Sequence, residues 1–101
     1  MNYTFGEVLQ AFGTYIAENP NIDICKTKYG YAVLHYNPAT KNFMYVPDIL
    51  ETPEDMLQCL REEIVLDVME PTGHDLEEAT KEELKEIANR TNRYMRLLPC
   101  A

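Results

Sequence analysis

Apolar positions fall into three helix-spaced stripes, with a run of strand-like alternation between the first and the second. Thr4-Phe5-Gly6-Glu7 reads as a capping box, with Thr4 as N-cap and Glu7 three residues on. Val8, Leu9, Phe12 and Ile16 follow at the spacing of one helical face, and Phe5 lies a turn earlier. Asn19-Pro20 ends this helix, because proline disfavours helical geometry in the residue before it.

Residues 22–26, 31–36 and 43–46 are rich in β-branched and aromatic side chains and are separated by turn chemistry, so they predict three strands. Thr27-Lys28-Tyr29-Gly30 suits a three-residue loop with Gly30 in the left-handed position. That register sets Ile24 opposite Leu34 and Cys25 opposite Val33. With Tyr36 opposite Phe43, it gathers Ile22, Ile24, Ala32, Leu34, Tyr36, Phe43 and Tyr45 on one buried face. A two-residue loop would move Ile22 and Ile24 to the other face. The three-residue loop is preferred because its apolar face is cleaner.

The second helix starts with Thr52 as cap, Pro53 at the first position, and Glu54 and Asp55 where the helix dipole favours negative charge. Leu57, Leu60, Ile64 and Val68 form its stripe, predicted to pack on Leu34, Tyr36 and Tyr45, and Glu70-Pro71-Thr72-Gly73 stops it. Thr80-Lys81-Glu82-Glu83 is a further capping box. Leu84, Ile87, Ala88, Thr91, Tyr94, Met95 and Leu98 then share a helical face. The predicted order is α-β-β-β-α-α: a single α+β domain over residues 1–101, with a three-stranded antiparallel sheet and helices packed on one face.

The α-β-β-β-α order over residues 4–70 resembles double-stranded-RNA-binding domains. Those domains grip phosphates with lysines at the start of their last helix. This chain has Thr52-Pro53-Glu54-Asp55 there, the wrong sign for a phosphate backbone.

Charge sharpens that point. Residues 51–80 hold ten carboxylates against one basic side chain, Arg61, a net charge of -9 within a total of -8. Such a field favours basic partners and repels nucleic acid and anionic lipid. Cys25, Cys59 and Cys100 are odd in number and widely spaced, which fits free thiols in a reducing compartment better than a disulfide framework or zinc site. Residues 1–7 show neither a basic nor an apolar leader pattern, and no run approaches the ~18 apolar residues of a membrane span. The chain reads as a soluble cytoplasmic domain.

Catalytic and ligand patterns are thin. Glu63, Asp67 and Glu70 recur along the second helix, with His74 and Asp75 beyond, but the Glu-x-x-His and calcium-loop spacings are missing, so these carboxylates read as a solvated face and no metal or cofactor is expected. Cys25 and His35, with Asp23 opposite His35, supply the side chains of thiol chemistry without an oxyanion-hole motif. A buried thiol and a surface histidine are the plainer reading. Tyr29, Tyr31, Tyr36 and Tyr45 have only Lys26, Lys28 and Lys41 nearby, so packing is preferred to base stacking, with Tyr29 and Tyr31 left for protein contact.

The leading expectation is a non-enzymatic interaction domain of bacterial type with a basic partner. It would bind through Glu54, Asp55, Glu62, Glu63, Asp67 and Glu70, together with Tyr29 and Tyr31. Alternatives are an acidic mimic of nucleic acid that inhibits a nuclease or DNA-binding protein, and a thiol enzyme using Cys25 and His35.

Overall fold

Two short helices, α1 (Phe5–Ala11) and α2 (Gly13–Glu18), stand where the apolar pattern predicts one, in a computed structural model that describes residues 3–73 and 75–99. His74 and Cys100 lie outside the described residues. The first capping box is complete, with Thr4 Oγ1 accepting from the Glu7 N–H and Glu7 Oε1 accepting from the Thr4 N–H. The helix breaks at Phe12, whose backbone leaves helical geometry at φ -101° and ψ 9°. The side chain of Phe12 is wholly buried, its ring 5.3 Å from that of Tyr94.

Strands β1 (Ile22–Thr27), β2 (Gly30–Asn37), β3 (Asn42–Phe43) and β4 (Asp48–Leu50) form one antiparallel sheet. β2 is central, pairing with β1 on one side and with both β3 and β4 on the other. Tyr36 pairs with Phe43 as expected, and their rings stack at 5.3 Å. The third strand is shorter than the predicted 43–46. From Phe43 to Asp48 the chain takes five steps while β2 takes three, from Tyr36 to Val33, so two residues bulge out of the ladder. Pro47, which has no N–H to donate, sits in that gap.

The first hairpin has the two-residue loop, with Thr27 paired to Gly30, Ile24 to Val33 and Cys25 to Ala32. Gly30 continues the ladder at φ +136°, and a Cβ there would lie 2.4 Å from the Leu50 carbonyl oxygen. Its glycine therefore lets β4 approach β2 and does not end a longer turn. Ile22, Ile24, Tyr31, Val33 and His35 consequently face the helices, while Leu34 and Tyr36 face outward with Phe43. Ile22 and Ile24 thus keep the buried side expected of them, whereas β2 and Phe43 are reversed, with Tyr31, Val33 and His35 taking the place expected for Ala32, Leu34 and Tyr36. Both faces of β2 are apolar, so alternation alone did not separate them.

The helix α3 (Pro53–Met69) follows Thr52, whose Oγ1 accepts from the Asp55 N–H. It buries Met56, Leu57, Leu60 and Ile64 against Val8, Phe12, Ile22, Val33 and Leu50, and Met69, at its end, is buried outside that cluster. Val68, expected in that stripe, is half-buried, and Met56 takes its place in the centre. After a 3-10 turn at Leu76–Glu78, α4 (Lys81–Met95) begins with the predicted Thr80–Glu83 capping box. Tyr94 and Leu98 reach the core, whereas Leu84, near the start of α4, stays exposed. The result is an α+β fold with helices on one face of a four-stranded sheet. Among the described residues no helix is long and apolar enough to cross a membrane.

Candidate functional site

Two carboxylates of α3, Glu63 and Asp67, sit at the border of its apolar stripe and turn toward the rest of the molecule. His35 Nε2 on β2 lies 2.6 Å from Glu63 Oε1, and the two side chains are only 23% and 12% exposed. The ring of Tyr45 stands edge-on to His35, with centroids 5.6 Å apart. One turn along α3, Asp67 Oδ2 accepts from the Tyr15 hydroxyl and from Asn19 Nδ2, and Asn19 also donates to the Tyr15 oxygen. Among the described residues, Glu63 Oε2 and Asp67 Oδ1 accept no hydrogen bond.

These contacts have electrostatic consequences. Burial, and then the hydrogen bond to Asp67, hold the Tyr15 phenol well above its ordinary pKa, so it stays a neutral donor. On the same helix, Cys59 is pushed up to about 11 by burial and then by the carboxylates of Glu63, Glu62 and Asp48. A thiol so reluctant to ionise is a poor nucleophile.

An open cleft of about 630 Å³ runs between the C-terminal half of α3 and the arm that carries β3. Its walls include His35, Met44, Tyr45, Glu63, Leu66, Asp67 and Glu70. The opposite flank of α3 faces α4 across a second groove of about 530 Å³, where Glu54, Gln58, Arg61 and Glu62 meet Ile87 and Thr91. Gln58 Nε2 donates to Glu62 Oε1 there, at 3.1 Å.

The predicted partner-binding residues therefore do not form one site. Glu63, Asp67 and Glu70 come together at the cleft, Glu54 and Glu62 line the other flank, and Asp55 is exposed at the start of α3. The expectation of a wholly solvated Glu63–Asp67–Glu70 face is corrected, because the first two make internal contacts. Tyr29 is exposed in the first hairpin loop, at the far end of β2 from the cleft. Tyr31 is half-buried, its ring 4.6 Å from Phe5 and beneath Lys26 Nζ at 4.9 Å.

The thiol arrangement comes apart in the same way. Cys25 pairs with Ala32 and is exposed on the outer face, while His35 pairs with Ile22 on the helix-covered face. Asp23 pairs with Leu34 instead of His35. The tyrosines make no common platform either, since Tyr31 and Tyr36 lie on opposite faces of β2. Among the described residues no three His, Cys, Asp or Glu side chains converge as metal ligands, and His74 lies outside them.

The role of His35 beside Glu63, and of Tyr45 and Leu66 around them, was missed from sequence. The available signal was the place of Glu63 and Asp67 beside Leu60 and Ile64 on the helical wheel, where a carboxylate meets the neighbouring layer. No family model matches the chain, and no curated protein or solved structure shows significant similarity to it.

Proposed function

We propose that the chain is a non-enzymatic cytoplasmic interaction domain that receives a basic protein surface on α3 and the connector behind it. The observation that carries this reading is the display of the acidic block. Glu54, Asp55, Glu62, Glu70, Asp75, Glu77 and Glu78 are all exposed, with Arg61 the one Lys or Arg among the described residues between Glu51 and Thr80. Opposed potentials of this kind steer encounter and discriminate among partners.

The rival readings draw less from the arrangement. A phosphate mimic needs a run of outward carboxylates, whereas here they are divided between two flanks and Glu63 and Asp67 turn inward. A thiol enzyme needs Cys25 and His35 on one face, and the register puts them on opposite ones.

The test uses the exposed acids, because reversing Glu63 or Asp67 would disturb the fold. The E54K/E62K/E70K variant is used as bait beside the wild type at about 50 and 500 mM salt, bracketing strong and weak screening. Loss of the wild type's salt-sensitive partners, with an unchanged circular-dichroism spectrum, supports the proposal. Capture of the same partners with the same salt dependence by the folded variant overturns it.

A further inference from the structure

We infer that the cleft between α3 and the β3 arm is the docking site for an arginine side chain, flanked by apolar residues, on the basic partner. The inference rests on the interaction reading above and names where and by what chemistry the partner is held. Isolated apolar side chains on a surface are ordinary, but large ones grouped around a concavity mark a binding site. Met44 (51% exposed), Tyr45 (62%) and Leu66 (59%) all border this cleft. The Met44 N–H still donates to the His35 carbonyl oxygen at 2.9 Å, and the bulge that follows takes the chain off the ladder, so the Met44 and Tyr45 side chains stand at the cleft outside the core.

The charge of the cleft selects the occupant. Glu63, Asp67 and Glu70 line it, while among the described residues neither Lys nor Arg does. Glu63 Oε2 and Asp67 Oδ1, one helical turn apart, carry no hydrogen bond among the described residues. An apolar partner settling on Met44, Tyr45 and Leu66 strips water from these oxygens. His35, Tyr15 and Asn19 satisfy only one oxygen of each carboxylate, so losing water from the other is unfavourable and a partner donor with positive charge offsets that loss best.

Arginine meets this better than lysine. Its planar guanidinium presents several fixed donors to two carboxylates, stacks on a tyrosine ring and sheds its weaker hydration more readily. The apolar neighbours of the arginine then cover Met44 and Leu66.

The probes are three capped pentapeptides, acetyl-Gly-Leu-Arg-Leu-Gly-amide and its Lys and Gln counterparts, titrated into ¹⁵N-labelled full-length protein at low salt. The arginine peptide is expected to shift the amides of His35, Tyr45, Glu63 and Leu66, binding several-fold tighter than the lysine peptide, with the glutamine peptide weakest. Tyr45→Ala and Leu66→Ala remove exposed side chains, so the variants should keep the wild-type spectrum. Each should weaken arginine-peptide binding by about tenfold, as loss of an interface anchor does. Shifts confined to Glu54, Gln58 and Glu62, or binding unchanged in both variants, overturn the cleft assignment and leave the acidic-domain proposal standing. Absence of shifts with all three peptides also overturns the cleft assignment, while the salt-dependent capture test decides the broader proposal separately.

Discussion

His35 Nε2 and Glu63 Oε1 meet at 2.6 Å, joining the central strand to α3 at the edge of the acidic cleft. Because both side chains are mostly buried, neither readily replaces the other with water. A double-mutant cycle with His35→Ala and Glu63→Gln should return a coupling on the order of 1 kcal/mol in urea melts at neutral pH. Strict additivity of the two losses would mean that the pair does not hold the sheet to the helix.

Leu60 lies wholly inside the layer between α3 and the sheet. Leu60→Ala should cost ~2–5 kcal/mol, whereas Leu66→Ala, on the exposed rim of the cleft, should cost less than about 0.5 kcal/mol. Equal losses in a denaturant series would contradict the assigned rotation of α3.

Gly30 combines φ +136° with a backbone approach that leaves no room for a Cβ beside the Leu50 carbonyl. Gly30→Ala should therefore lower stability by more than about 1 kcal/mol and loosen β4 first. Amide exchange at Ile49 and Leu50 is the direct readout, and unchanged protection there would refute the close packing of β4.

These three sites also show how far the sequence could be read. The caps at Thr4, Thr52 and Thr80 and the stop after Met69 are local signals, written within four residues, and they are legible. The face of β2 is a tertiary choice. Tyr31, Val33 and His35 compete with Ala32, Leu34 and Tyr36, both sets are apolar enough for the core, and Gly30 answers to a strand twenty residues away. The cleft was partly legible, through Glu63, Asp67 and Glu70. Its other wall depends on the bulge after Phe43, which no periodicity marks.

Alkaline pH should weaken the fold through Cys59 and Tyr15. The folded state keeps the Cys59 proton up to about 11, against an ordinary value of 9.0. The unfolded chain thus releases its proton first, and stability falls as pH rises from about 9 to 11. Tyr15, also raised from its ordinary 10.0, extends the loss above pH 10. Cys59→Ala should make the decline between pH 9 and 11 shallower by on the order of 1 kcal/mol, the partial exposure of the thiol limiting the effect. Parallel urea melts of variant and wild type with identical slopes against pH would show that the thiol is not held protonated by the fold.

Reception of a basic partner at α3 can be read from hydrogen–deuterium exchange of the protein alone and with a partner recovered in the salt-sensitive capture. New protection is expected in two places, residues 43–46 on the arm and residues 63–70 on α3, fading together as salt is raised. Protection confined to the outer face of the sheet or to the Tyr29 loop, with α3 unchanged, would contradict it.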